Sequence, residues 1–151
     1  RQIKEKMELK IMSISWIQLA SSFWMMTIIC FVQMVHYPLF LSVPKSHRIE
    51  YAQNHQRWIS YLVVPGMLIE LFSLLIWGVQ LGTSWHWWIA SLLLGVIWIS
   101  TVCLQVPCHQ RLLIVPDNEV VNRLIKTNWV RTIAWIVKTM LIAYVIWKGL
   151  I

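Results

Sequence analysis

Apolar residues run along this chain in long blocks, and the charged residues gather between them. No charged side chain occurs over residues 11–44 or over residues 71–110. A transmembrane helix needs about 20 apolar residues. The first block therefore predicts one span, over 11–37 and closed by Pro38. The second is too long for a single span, and Leu81, Gly82, Thr83 and Ser84 interrupt it. It divides into the end of a helix over 58–80 and a helix over 85–106 that Pro107 ends. A fourth span covers 128–147 despite Lys138. The expected fold is all-α: a single-domain integral membrane bundle of four transmembrane helices. Short interfacial helical segments are expected between helices 1 and 2 and between helices 3 and 4.

Tryptophan placement supports these limits. Trp16 begins helix 1, Trp58 and Trp77 flank helix 2, Trp85, Trp87 and Trp88 begin helix 3, and Trp129 and Trp147 bracket helix 4. Indole rings favour the two headgroup levels of a bilayer. Only Trp24, Trp98 and Trp135 fall inside spans. Composition agrees, since 58% of the 151 residues are hydrophobic and 13% charged, whereas a soluble domain carries about 25% charged residues. The net charge of +7 then reads as a topology signal. Nucleic acid is not an expected partner, because little of such a chain can present a solvated basic face. The first span is too long for a removable signal peptide and lacks a small-residue cleavage site.

The two polar connections carry helical patterns of their own. Tyr51, His55 and Trp58 follow a candidate Ser46 cap at i, i+4 and i+7. Val120, Val121, Leu124, Ile125 and Trp129 follow Pro116, with Asp117 at the start of the helix they predict. These connections and their adjoining helix ends hold Lys45, Arg48, Arg57, Arg111, Arg123, Lys126 and Arg131; the other side holds Arg1, Lys4, Lys6, Lys10 and Lys148. The positive-inside rule then puts the connections in the cytoplasm and both termini outside a cell membrane.

Four spans with both termini on one side bring four helix ends to the opposite face. Polar residues collect there: Gln33 and His36, His55, Gln105 and His109, Asn128 and Arg131. Within each pair the spacing of three or four sets both residues on one side of the helix. A polar pocket between the helices is the functional expectation. Polarity at helix ends that meet headgroups is the plainer alternative. His36, His55, His109 and Glu70 are the candidate catalytic residues; Gln33, Gln105, Asn128, Arg131 and Lys138 are candidate ligand-binding residues.

Two charges lie deeper. Glu70 is 12 residues beyond Trp58 and Lys138 is 9 beyond Trp129, so both sit near the bilayer centre, roughly 14–18 Å in. A charge there costs at least about 2.5 kcal/mol, so the two are expected to face the bundle, as an ion pair or as a protonated Glu70 with Lys138 reaching toward a carbonyl. In the plainer alternative Lys138 snorkels and Glu70 only hydrogen-bonds a neighbouring span. Pro65 and Gly66 precede Glu70 by about one turn and predict a kink. His36, His55 and His109, with Glu70 or Glu50, are also candidate ligands for a metal ion or a haem. No HxxxH, ExxH or CxxC motif accompanies them. Cys30, Cys103 and Cys108 read as small apolar fillers. A glycine-rich phosphate loop and a nucleophile elbow are both missing, which leaves nucleotide and serine hydrolysis without support.

Several short strings carry a resemblance. His36, Tyr37 and Pro38 close helix 1. Val106, Pro107, Cys108, His109, Gln110, Arg111 and Leu112 close helix 3, and Asn128, Trp129, Val130, Arg131 and Thr132 open helix 4. Together with four spans in about 150 residues, they resemble the anthrone-oxygenase-like family of small membrane proteins. Members commonly show Val-Pro-x-x-x-x-Leu and Asn-His-x-Arg-Thr; this chain has Trp129 in place of the second motif's histidine, and His109 is the nearest substitute. The resemblance implies a four-helix bundle and, for a few relatives, oxygenation of reduced polycyclic aromatics. Two functional classes follow. One is a membrane enzyme acting on a lipophilic aromatic or quinone-like small molecule, with the histidines as acid/base groups, Asn128 and Arg131 at an oxyanion, and Glu70 as a buried proton carrier. The other is an accessory subunit packing against a larger membrane complex, lipids, pigments or further copies of itself. Transport is the weakest reading, because no inverted repeat is present.

Overall fold

The computed structural model describes the backbone of residues 2–150 and the side chains of residues 12–80 and 82–150. Four helices in it are long and apolar enough to cross a membrane. The protein is an all-α membrane bundle.

The first span joins α1 (Gln2–Phe31), a π-helical turn (Val32–His36) and α2 (Tyr37–Phe40). The second is one helix, α3 (Lys45–Leu81). The third joins α4 (Trp85–Ser100), a second π turn (Thr101–Gln105) and α5 (Val106–Leu112). The fourth is α6 (Asn118–Trp147). The side chains of Lys4, Lys6 and Lys10, which entered the charge count, lie outside the described residues, as does all of Arg1.

Prolines do not end helices here as the sequence predicts. Pro38 and Pro107 each lie inside a continuing helix, and each follows a π turn. Proline has no N–H and its ring crowds the carbonyl four residues back. That carbonyl belongs to Met34 in one case and Cys103 in the other, inside the two wide turns. Tyr37 N–H reaches Val32 O and Val106 N–H reaches Thr101 O, both five residues back. The widened turn makes room for the ring, and the chain stays helical.

The expected interfacial segments are the opening turns of α3 and α6, continuous with the spans. With 37 residues, α3 extends about 55 Å, well beyond an apolar layer of about 30 Å. It runs unbroken through Pro65. Pro44, and not Ser46, caps it: His47 N–H donates to Pro44 O at 3.0 Å, while the Ser46 hydroxyl meets His47 Nδ1. Asp117 caps α6, accepting from Glu119 N–H at 2.9 Å.

Arg48, counted above as a topology signal, is buried. It donates to Leu41 O and Val43 O in one connection and to Pro116 O and the Asn118 side chain in the other. One guanidinium thus ties the two polar connections together. At the opposite end, Trp77 departs from its expected headgroup position and is fully buried near His86. Trp87 passes over Gly78 there and donates to Leu74 O at 2.9 Å.

Candidate functional site

The helix ends converge as their polarity predicts, and they form three successive layers. Outermost is a row of aromatic and imidazole rings. His36, on the first π turn, stacks on His55 of α3 with ring centroids 4.1 Å apart and an interplanar angle of 23°. His55 in turn lies 5.5 Å from His109 of α5. Tyrosines close both ends: Tyr51 O–H is 3.5 Å from His36 Nδ1, and Tyr37 O–H is 3.1 Å from His109 Nε2. Phe40 packs edge-on against Tyr51 and His55.

One turn deeper lies an amide and guanidinium layer. Asn128 Nδ2 donates to Gln33 Oε1 at 2.8 Å, and Gln33 Nε2 donates to Ile125 O at 3.2 Å. Gln105 Nε2 donates to the Thr127 hydroxyl at 2.9 Å. That hydroxyl spends its own proton on Arg123 O, so it can only accept from Gln105. This fixes the amide orientation and leaves Gln105 Oε1 buried with no partner among the described residues. Arg131 is 5% exposed. Among the described residues its one hydrogen bond runs from Nη1 to Asn128 Oδ1 at 3.4 Å, and its Nε has no partner.

These two layers form the polar end of a cavity of about 490 Å³. Tyr37, His55, Gln105, His109 and Arg131 line that end. Ile28, Ile29, Val63, Met67, Trp98 and Val102 line most of the rest, with the Ser60 and Thr101 hydroxyls among them. The mouth lies between α3 and the third span, where Val64, Leu68, Val102 and Val106 reach the outer surface. α3 packs mainly on α1, whereas α4 packs mainly on α6. The bundle is therefore loosest along the line where the cavity opens. A second crevice of about 320 Å³, on the other side of the histidine row, is lined by Phe31, His36, Tyr51, Asn54, His55 and Trp58, among others. His55 borders both.

No family model, curated protein or solved structure matches the chain. The site is thus read from its own geometry.

That geometry corrects the metal expectation. His36 and His55 meet face to face, and stacked rings do not aim their nitrogen lone pairs at one point. Among the described residues no group of three His, Cys, Asp or Glu side chains is placed to hold an ion. Glu70 and Glu50 are not drawn in either: Glu50 is exposed on α3, and Glu70 belongs to another layer.

That third layer is the mid-membrane one. Glu70 and Lys138 form an ion pair, both at 0% exposure. Glu70 also accepts from Gln18 Nε2 at 2.8 Å and from the Ser21 hydroxyl at 2.6 Å, while Lys138 Nζ donates to Ser22 Oγ at 2.9 Å. Ser73 completes the set by donating to Gln18. Neither Glu70 nor Lys138 lines the cavity. Lys138 is two turns below Arg131 on α6, roughly 10 Å, and buried Met25, Ile29, Met67 and Trp135 belong to the apolar core between the two levels.

Sequence reasoning overlooked Tyr37, Tyr51, Gln18, Ser21, Ser22 and Ser73. A signal existed for several. Tyr51 precedes His55 by one helical turn, and Gln18, Ser21 and Ser22 form a polar stripe at i, i+3 and i+4 inside an otherwise apolar span. Trp129, standing where the resembled motif has histidine, is half exposed on the outside of α6, while Asn128 and Arg131 point inward.

Proposed function

We propose that the protein is a small membrane enzyme whose substrate is a lipophilic aromatic or quinone-like molecule entering sideways from the bilayer. One observation carries this reading: the 490 Å³ cavity is mostly apolar along its length, polar at its headgroup end, and open between two spans on the side that faces lipid. A flat hydrophobic body fits the Ile, Val, Met and Trp lining, with its oxygen substituents among His55, His109, Gln105 and Arg131.

The polar end supplies the parts of a proton-transfer site. Tyr37 holds His109 through Nε2 and leaves Nδ1 without a partner. His55 makes ring contacts but no hydrogen bond among the described residues and borders the cavity. Either imidazole can take a proton from an acidic C–H or O–H of a bound ring, and the Arg131 guanidinium steadies the oxyanion so formed. Oxygenation, which the family resemblance implies, starts from that enolate or phenolate and uses dioxygen as the oxidant, one oxygen atom entering the ring carbon as a carbonyl and the other leaving as water with the two hydrogens removed. Placement of the polar connections in the cytoplasm is part of the same reading, supported by the excess of basic residues beside them.

Purification in gentle detergent, followed by mass spectrometry of the organic extract, tests the proposal. The unmodified protein is expected to retain a lipophilic aromatic, and a Val63→Trp variant, which fills the cavity, to lose it. Equal recovery from both overturns the reading. So does migration with one large complex and collapse outside it, which favours the accessory-subunit role.

A further inference from the structure

Arg131 is the buried cation in the described bundle with the fewest acceptors. Lys138 has Glu70. Arg48 has no carboxylate partner and its Nε is unpaired among the described residues, but four oxygens accept from its two Nη groups. Among the described residues Arg131 makes a single long hydrogen bond, to a neutral amide oxygen, with the neutral Tyr37 phenol beside it. Of the acidic side chains described, Glu70 is committed to Lys138, Asp117 caps α6, and Glu50 and Glu119 are exposed; none lies within ion-pair distance of Arg131. A guanidinium carries five N–H donors and keeps its proton in proteins. Burying one with neither a counter-charge nor the set of oxygen acceptors that Arg48 has costs several kcal/mol, so a bundle that keeps it there and opens a cavity against it has left room for a negative group.

From this we infer that the ligand is a monoanionic amphiphile, with a carboxylate or an aromatic oxyanion at Arg131 and an apolar body along Ile29, Val63, Met67 and Trp98. The inference rests on the proposed lateral cavity and names the charge of what enters it. Two features support the assignment. The neighbouring His109 has an unpartnered ring nitrogen, a second donor when that nitrogen carries the proton. The planar fork of arginine also matches a two-oxygen head better than a point cation would. Aliphatic acids and hydroxylated quinones share this head chemistry, and they differ in the body.

Titration calorimetry on the protein in phosphatidylcholine nanodiscs separates the outcomes. The probes are dodecanoate and its methyl ester, and an alkyl hydroxynaphthoquinone and its O-methyl ether, at a pH where both acids are ionised. In at least one pair the anion is expected to bind about ten-fold or more tighter than its neutral partner, the scale of a charged hydrogen bond. Arg131→Gln should remove that preference and keep the neutral partner's affinity, and Arg131→Lys should keep part of it. The pair showing the preference identifies the body. Equal binding of anion and neutral partner in the unmodified protein overturns the charge assignment and leaves the cavity reading standing. If no probe binds, or if Val63→Trp binds as well as the unmodified protein, the cavity reading falls as well.

Discussion

Glu70 and Lys138 face each other in the middle of the bundle, from α3 and α6, and α1 adds hydrogen bonds to both through Gln18, Ser21 and Ser22. Three helices thus meet at one pair of charges with no water-facing surface.

Removing either charge strands the other. Glu70→Leu and Lys138→Met are each expected to destabilise the fold by about 3–5 kcal/mol. The double substitution should recover most of that loss, because two apolar side chains need no partner. Thermal unfolding in detergent of the two single variants and the double variant checks this. Equal, additive losses would show that the pair is not coupled.

Arg48 is expected to matter more than an exposed basic residue. Arg48→Met leaves Leu41 O, Val43 O and Pro116 O without their donor, at about 1 kcal/mol per bond. Hydrogen exchange should rise in the connections 41–44 and 113–117, and protection around Trp135 should stay unchanged. A uniform rise along the chain would contradict the clamp.

Gly78 admits Trp87. A Cβ there would stand 2.6 Å from the indole Nε1, so Gly78→Ala must displace the ring and break its bond to Leu74 O. The expected cost is about 1–3 kcal/mol, read as a lower thermal midpoint. Gly95→Ala, where a Cβ meets nothing, is expected to be neutral or slightly stabilising.

Tyr37 positions His109. Tyr37→Phe keeps the ring packing and removes one hydrogen bond, so its stability cost should stay near 1 kcal/mol. On the proposed function, turnover should fall while ligand affinity changes less than two-fold or so. An equal fall in both would make Tyr37 a binding residue and not a positioning one.

Much of this arrangement was legible in the sequence. Uncharged blocks count the spans, since a bilayer charges heavily for stray ions, and chain connectivity then forces Gln33, His36, His55, Gln105, His109, Asn128 and Arg131 to one face. Depth alone brings Glu70 and Lys138 to one level, where an ion pair is one of the outcomes open to them. What the pattern could not show is orientation within a layer. Whether three imidazoles converge on a point or stack as a row depends on ring rotation and on where each helix is wound. Pro38 and Pro107 misled for the same reason: the usual rule treats proline as a stop, and a wider turn upstream lets the helix continue. The role of Arg48 was hidden because a lone arginine in a polar connection has the same sequence signature whether it faces headgroups or folds inward.

The two π turns make the site a matter of reading frame. Each inserts one residue into a 3.6-residue period, which swings everything beyond it by about 100° about the helix axis. His36, Tyr37, Gln105 and His109 lie within or just after these insertions. Deleting one residue from either turn would therefore redirect side chains that no substitution had touched. A one-residue deletion is in that sense a sharper probe of this site than any alanine.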